Sequence, residues 1–240
     1  MIGLRSISRR FSSTSTPKKV AVVFSGCGVY DGTEITEAVS TLIHLSATKT
    51  PYKIYAPDAE QMHVVDHTSG EEQGESRNAL KESARIARGD VAPLSTLDPS
   101  AYSALIIPGG FGAAKNLSSF ATDGPDMSVI PDLVAAISGF RDQGKPLGAC
   151  CIAPTILAKT VPSASLTVGQ SSGSEDVWPY QGAAGAINAM GGKHVDTEID
   201  GFHVDEANKI VTSAAYMKNA TPSEVHNSVG LLVSKIVSLM

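Results

Sequence analysis

A strand-to-helix corner at residues 145–157, KPLGACCIAPTIL, constrains the fold of this chain more than any other stretch. Leu147 to Cys150 has the apolar, small-residue composition of a short buried strand. Residues 152–159 have helical composition, with Pro154 near the first turn, where a missing N–H costs little. A reactive residue at such a corner needs small residues two positions before and two positions after it, because the turn is sharp. The stretch therefore predicts a strand, a tight turn and a helix, with the reactive residue at the turn.

Two adjacent cysteines compete for that position. Around Cys151 the small neighbours are Ala149 and Ala153, whereas around Cys150 the second slot would hold the bulky Ile152. We therefore predict Cys151 as the nucleophile and Cys150 as a buried strand residue. Unpaired N–H donors and the helix dipole at a helix N-terminus favour the thiolate form. The alternative is that both cysteines end a core strand, because free cysteine is among the most buried residue types.

Strands alternate with helices along the chain. Such alternation predicts a mainly parallel central sheet with helices on both faces. Ligands of these sheets bind outside the carboxyl ends of the strands. The glycine-rich or small-residue loops at 25–33, 108–114 and 150–154 fall at such ends and are expected to form one site. Strands are predicted at 19–24, 53–56, 103–107, 147–150, 166–169, 194–199 and 209–212, and helices at 34–45, 78–88, 131–143, 152–159 and 223–239.

Composition narrows the class of protein. The 240 residues, 42% hydrophobic and 18% charged, suffice for one α/β domain at residues 18–240. Three cysteines cannot form a full disulfide framework and indicate a reducing compartment. An apolar run near 18 residues is lacking, so no membrane span is expected. A dinucleotide fingerprint, a Walker loop and metal-ligand spacing are also lacking, so no cofactor and no metal are expected.

The beginning of the chain differs from the rest. Residues 1–17 contain Arg5, Arg9 and Arg10 with many serines, and no acid occurs before Asp31. This composition is typical of a mitochondrial transit peptide that is removed, which predicts a matrix protein; a disordered basic tail is the alternative. Beyond residue 19 the chain carries 14 Lys and Arg against 24 Asp and Glu. This acidic excess argues against binding nucleic acid or an anionic membrane.

Candidate partners for the thiol come from two of the loops and from the first predicted helix. Gly109 and Gly110 follow a strand, and their amides could form an oxyanion hole, with a plain tight turn as the alternative. Glu34 and Glu37 lie one turn apart at the start of a helix. Spacing alone favours acids attracted by the helix dipole over a proton carrier. None of the six histidines occupies a position that suggests catalysis.

Five segments resemble a known family. They are GCGVYDGTEITEA (26–38), GESRNALKESARIARG (74–89), IPGGFGAAKNLSSFA (107–121), CIAPTILAK (151–159) and DEANKIVTSAAYM (205–217). Together they resemble the ThiJ/PfpI superfamily of class I glutamine amidotransferase-like proteins, and within it the ElbB-type glyoxalases and their mitochondrial relatives. The resemblance covers about residues 18 to 240. It implies a flavodoxin-like three-layer sandwich with a nucleophile elbow, usually assembled as a homo-oligomer, a dimer or larger.

The resemblance also implies site residues. Aligning the E-x-x-E element marks Glu37 as the acid that faces Cys151, with Glu34 as the weaker candidate. The remaining residues are the oxyanion-hole amides of Gly109, Gly110 and Ile152 and the secondary candidates Cys27 and Asn116. PfpI-type proteases carry histidine directly after the nucleophile, where Ile152 stands here. Other members place one after the next strand, where this chain has Gln170, so a protease or amidotransferase mechanism is poorly supported.

The function implied is that of a glyoxalase, an enzyme of the lyase class. Some bacterial relatives resemble glyoxalases that convert glyoxal into glycolate without glutathione or metal. Cys151 would add to the small aldehyde substrate while Glu37 moves protons, and neither step needs a histidine. The alternative is a non-catalytic mitochondrial protein that uses the same cysteine for redox sensing or partner binding.

The leader predicts a processing site. Arg9 precedes Ser12 by three residues with Phe11 between them, a pattern that resembles mitochondrial cleavage sites. We expect the mature chain to start within several residues of Ser12. Mass spectrometry of protein purified from the organelle tests this, and an intact Met1 terminus would contradict it.

Overall fold

The computed structural model describes residues 18–240, and the predicted leader, residues 1–17, lies outside the described part. The strands of the described part are β1 Val20–Val23, β2 Tyr52–Ala56, β3 Val65–Asp66, β4 Glu71–Glu72, β5 Val91–Pro93, β6 Ala104–Ile107, β7 Leu147–Cys150, β8 Ser165–Leu166, β9 Lys193–His194, β10 His203–Asp205 and β11 Ile210–Ser213. The α-helices are α1 Ile35–Ala47, α2 Ala79–Ala87, α3 Phe111–Lys115, α4 Phe120–Asp123, α5 Pro131–Asp142, α6 Pro154–Thr160, α7 Gly182–Ala189 and α8 Pro222–Leu239.

A seven-stranded sheet forms the centre, in the order β10-β11-β7-β6-β1-β2-β5. Its strands pair in parallel except for β10, which runs antiparallel to β11. Helices α1 and α8 pack together on one face, while α5 and α6 cover β6 and β7 on the other. The predicted flavodoxin-like α/β sandwich with a mainly parallel sheet is confirmed.

The central strands are apolar at every position because helices cover both of their faces. All residues of β1, β6 and β7 are buried. Gly148 in β7 lets α8 approach closely: a Cβ there would lie 3.1 Å from Ile236 Cγ1 and 3.2 Å from Leu232 Cδ2. This packing fixes β7, and therefore the turn that follows it, in the middle of the molecule.

Loops at the carboxyl ends of the strands are joined by backbone hydrogen bonds. Phe111 N donates to Val29 O at 2.7 Å, and Gly112 N donates to Gly32 O at 2.8 Å. These bonds hold the loop after β6 against the loop after β1. As predicted, the glycine-rich loops meet at one edge of the sheet.

Several elements differ from the predictions. The strands predicted at 166–169 and 194–199 are the short β8 and β9, which form a separate two-stranded sheet. Strand β5, strand β10 and helix α7 were not predicted, and neither were the short elements β3, β4, α3 and α4. β10 is an edge strand with polar His203 and Asp205, and α7 contains two glycines, so neither carries a strong periodic apolar pattern. Among residues 18–240, no helix has both the length and the apolar character needed to span a membrane.

Candidate active site

The turn after β7 has the geometry of a nucleophile elbow. Cys151 has φ +58°, a left-handed conformation that non-glycine residues adopt at a cost of about 1–3 kcal/mol. Its amide donates to Ser213 O at 3.1 Å, which anchors the turn to the end of β11. Cys151 lines a cavity, whereas Cys150 is the last residue of β7 and only 2% exposed. The sharp turn therefore falls at the cysteine that the small-residue rule selects.

Glu37 lies fully buried beside the elbow. Its Oε2 accepts from Gly109 N at 2.9 Å and from the Cys150 thiol at 3.7 Å, while its Oε1 accepts from Tyr216 N at 3.2 Å. Cys151 Sγ lies close to the carboxyl group as well, since both crowd the same side of Gly109. A solvated first-turn acid would make none of these contacts. Glu37 is thus held by the ends of β6, β7 and β11 together.

Glu34 has a different position from Glu37, although both belong to the first turn of α1. Its Oε2 accepts from Glu37 N at 2.7 Å, so it is the N-cap of α1. Glu34 also lines the cavity, whereas Glu37 lies behind Cys151. The E-x-x-E spacing therefore places one acid at the cavity wall and the other beneath the thiol.

Gly109 must be glycine because the thiol and the carboxyl group both approach it. A Cβ at this position would lie 2.4 Å from Cys151 Cβ, 2.9 Å from Cys151 Sγ and 2.8 Å from Glu37 Oε2. Its single amide hydrogen is already donated to Glu37. This corrects the expectation that the Gly109 amide belongs to the oxyanion hole. The amides of Gly110 and Ile152 act to lower the pKa of the Cys151 thiol and are the oxyanion-hole candidates that remain.

Burial raises the pKa of both reactive groups. The pKa of Glu37 rises to about 8, first because the carboxyl is desolvated and second because Glu34 carries a like charge; hydrogen bonds from Tyr216, Cys151 and Gly109 oppose the rise. Desolvation and the charge of Glu37 also raise the pKa of the Cys151 thiol, against the pull of the Gly110 and Ile152 amides. The expectation of a thiolate favoured by the helix end is therefore corrected, because the site is too deeply buried. Near neutral pH both groups retain their protons.

A second residue with a left-handed backbone conformation, Ala215, positions the amide that binds the other oxygen of Glu37. Ala215 has φ +45°, and this turn directs the amide of Tyr216 at Glu37 Oε1. Ala215 is fully buried just after β11, as Cys151 is buried just after β7. Strained backbone of this kind clusters at functional sites. The sequence analysis did not predict this turn. The run SAAYM at 213–217, in which small residues follow an apolar strand, is the feature that could have indicated it.

A cavity of about 920 Å³ opens over Cys151. Aromatic rings form much of its wall, together with the acid that caps α1 and the amides near the thiol. Its lining includes Tyr30, Phe111, Phe120, Tyr180 and Tyr216, with Glu34, Gly110 and Ile152. No histidine is among its lining residues in the described part of the chain.

Two predicted secondary candidates lie outside the cavity lining. Asn116 Nδ2 donates to Ser25 O and Asp31 O, each at 2.8 Å, and its Oδ1 accepts from Met62 N at 2.9 Å. Asn116 thus ties three loops together behind the site. Cys27 is half-buried and lies on the loop after β1, and burial raises its pKa. Within residues 18–240, no three His, Cys, Asp or Glu side chains are grouped closely enough to hold a metal ion.

Two curated proteins resemble the chain over most of its length. The human glutamine amidotransferase-like class 1 domain-containing protein 3, mitochondrial, is 49% identical over 222 residues, covering 92% of this chain and 83% of that protein. The rat ES1 protein homolog, mitochondrial, is 47% identical over 230 residues, covering 95% and 86%. No model of a known protein family matches the chain.

Solved structures share the fold. An isoprenoid biosynthesis protein with an amidotransferase-like domain from Ehrlichia chaffeensis has a TM-score of 0.83 and 36% identity, over 92% of this chain and 99% of that one. A DJ-1 superfamily protein from Agrobacterium tumefaciens has a TM-score of 0.52 and 18% identity, over 93% and 91%. The second likeness concerns the fold alone.

The raised pKa of Glu37 predicts how stability depends on pH. In the unfolded chain the carboxyl ionises near its ordinary value of 4.5, whereas in the folded chain it keeps its proton to about pH 8. Unfolding therefore releases a proton between these values, and this group makes the free energy of unfolding fall as pH rises through that window. The limiting slope is about 1.4 kcal/mol per pH unit. Glu37→Gln should remove this slope.

The slope is the diagnostic quantity, because Glu37→Gln also has a pH-independent cost. A Gln side chain has one acceptor oxygen, while Gly109 N and Tyr216 N both need one, so the NH₂ group must face a donor. Urea unfolding at several pH values from 5 to 8 measures the slope, with Glu71→Gln on the exposed strand β4 as control. Equal slopes in wild type and Glu37→Gln would show that Glu37 is ionised throughout this range.

Proposed function

The chain belongs to the ThiJ/PfpI superfamily of class I glutamine amidotransferase-like proteins, among the mitochondrial ES1 proteins, and we propose that it is a cofactor-independent glyoxalase that converts glyoxal into glycolate. One observation carries the proposal. The strained Cys151 opens into a cavity with a buried carboxyl group directly behind it. A thiol and a proton carrier are the two groups that this reaction needs.

The first step of the proposed mechanism is addition. The Cys151 sulfur forms a bond to one aldehyde carbon of glyoxal, and the thiol proton passes through Glu37 to the former carbonyl oxygen. The product is a hemithioacetal. The amides of Gly110 and Ile152 lie near the sulfur and would stabilise the oxygen as its negative charge develops.

The second step moves hydrogen from one carbon to the other. Glu37 first releases its own proton to water, and its carboxylate then moves the proton from the carbon bonded to sulfur to the oxygen of the second aldehyde, so that an enediol forms. A proton then adds to the neighbouring carbon while the hydroxyl group on the sulfur-bearing carbon loses its proton, which leaves a thioester of glycolic acid. One carbon is oxidised and its neighbour is reduced, so no external oxidant is required. A carboxyl group with a pKa of about 8 can both take up and release a proton near neutral pH.

The last step is hydrolysis. Water adds to the thioester carbonyl, the carbon–sulfur bond breaks, and the thiol regains its proton as glycolate leaves. The absence of histidine from the described cavity lining supports this reaction over amide hydrolysis, in which a leaving amine needs an acid such as histidine. Glutamine hydrolysis or proteolysis is therefore the less suitable reaction for this site.

The proposal includes the setting of the enzyme. Its curated relatives are named mitochondrial, and we place the protein in the matrix, where the acid-free leader of the sequence would direct it. We also propose a homo-oligomer. Ile35, Val39 and Ile43 are exposed at four-residue intervals along α1, a stripe that a second copy would bury.

Glyoxal turnover tests the proposal. Wild-type protein should consume glyoxal and release an equal amount of glycolate. Cys151→Ser should reduce turnover to background, and Glu37→Gln should reduce it by about 10²–10⁴-fold. Cys27→Ser is the matched control, because its thiol lies outside the cavity lining, and it should retain activity. Absence of turnover in the wild type, or full activity in Cys151→Ser, would favour the non-catalytic alternative.

A further inference from the structure

Three aromatic rings stand in a row at the cavity, and we call Tyr30, Phe111 and Tyr180 the aromatic mouth. The ring centroids of Tyr30 and Phe111 are 6.5 Å apart, and those of Phe111 and Tyr180 are 6.2 Å apart with a T-shaped arrangement at 79°. Tyr30 is 39% exposed and Tyr180 is 44% exposed. Large aromatic side chains that remain exposed beside a cavity commonly mark a binding surface.

The backbone that carries the aromatic mouth is anchored by hydrogen bonds. Tyr30 N donates to His67 Nε2 at 3.2 Å, and Tyr30 O accepts from Lys115 Nζ at 2.9 Å. Phe111 is the first residue of α3, and its amide is bonded to the loop that carries Tyr30. The arrangement is therefore built by the fold.

The segment that carries Tyr180 is also fixed. Trp178, two residues earlier, is 5% exposed and packs against Gly169, where a Cβ would lie 2.3 Å from its ring. Val177 O accepts from Asn219 N at 2.8 Å. Tyr180 is thus presented to the cavity by a buried neighbour and a backbone bond.

The cavity is much larger than the proposed two-carbon substrate requires. Pockets of about 300–1,000 Å³ accommodate drug-sized ligands, and this cavity lies near the upper end of that range. Glyoxal bound at Cys151 would leave the aromatic mouth without a contact. A planar ring attached to the reacting carbonyl group would instead extend from the thiol toward the three side chains.

The charged side chains of the cavity lining restrict which substituents that ring can carry. The lining contains the acids Glu34, Glu175 and Asp176 and one lysine, Lys218, which is paired with Glu224 at 3.8 Å. A phosphate or carboxylate on the substrate would meet an excess of negative charge and lose its hydration. The lining therefore disfavours anionic aldehydes.

We propose that the enzyme's preferred substrates are arylglyoxals, α-oxoaldehydes in which an uncharged planar ring is attached to the ketone carbon. This inference rests on the proposed function. Cys151 adds to the aldehyde carbon, the proton on that carbon moves to the ketone carbon, and water releases the acid. The aldehyde carbon is oxidised, the ketone carbon is reduced, and the product is an aryl 2-hydroxy acid. The aromatic mouth stacks against the ring throughout.

Competition between substrates tests the proposal. The kcat/KM of the wild type should be at least about tenfold higher for phenylglyoxal than for glyoxal, because the ring adds buried contact. It should be about tenfold lower for 4-carboxyphenylglyoxal than for phenylglyoxal. Tyr180→Leu and Tyr30→Leu should each lower the phenylglyoxal-to-glyoxal ratio by roughly twofold to tenfold. The ratio is used because partial unfolding affects both substrates equally.

Tyr52→Leu on β2, outside the cavity lining, is the control and should leave the ratio unchanged. Glyoxal turnover that depends on Cys151, with no preference for phenylglyoxal, would overturn this inference and leave the proposed function intact. An unchanged ratio in both Tyr180→Leu and Tyr30→Leu would likewise overturn it. Absence of turnover with every aldehyde would overturn the proposed function itself.

Discussion

The site depends on the hydrogen bonds that the buried carboxyl group of Glu37 accepts. The carboxyl group accepts from the Gly109 amide with one oxygen and from the Tyr216 amide with the other, the Cys150 thiol also donates to it, and the Cys151 thiol lies close by. These groups come from the ends of β6, β11 and β7, which the sequence separates by many residues. The two amides occupy both acceptor oxygens of the carboxyl group, and burial of the group raises its pKa. The same contacts that organise the site therefore hold a proton beside the thiol.

Backbone strain and small residues allow these contacts. Cys151 and Ala215 both adopt left-handed conformations, one directing its thiol at the cavity and the other directing the next amide at Glu37. Gly109 leaves room for the thiol and the carboxyl group to approach. Strain of about 1–3 kcal/mol per residue persists only where the surroundings enforce it. Here the seven-stranded sheet, with α8 packed closely over β7 at Gly148, provides that enforcement.

Sequence patterns were sufficient for the architecture and for the elbow. Apolar strands buried on both faces and the small residues around Cys151 are local signals, so the fold class and the turn could be read directly. The role of Glu37 could not be read from spacing, because a first-turn acid has the same pattern whether it faces solvent or a thiol. The donation of the Gly109 amide to Glu37, the turn at Ala215 and the aromatic mouth all depend on contacts between distant segments. Such contacts can be predicted only once the order of the strands in the sheet is known.

The mechanism depends most directly on whether Glu37 is protonated at neutral pH, and the carboxyl carbon of this residue reports its protonation. Protein labelled with ¹³C at the glutamate side-chain carboxyl, with the Glu37 signal assigned by its loss in Glu37→Gln, can be titrated by NMR. We expect a midpoint for Glu37 near pH 8. A midpoint near the ordinary glutamate value of 4.5 would contradict it, because Glu37 would then be ionised at neutral pH and would repel a thiolate.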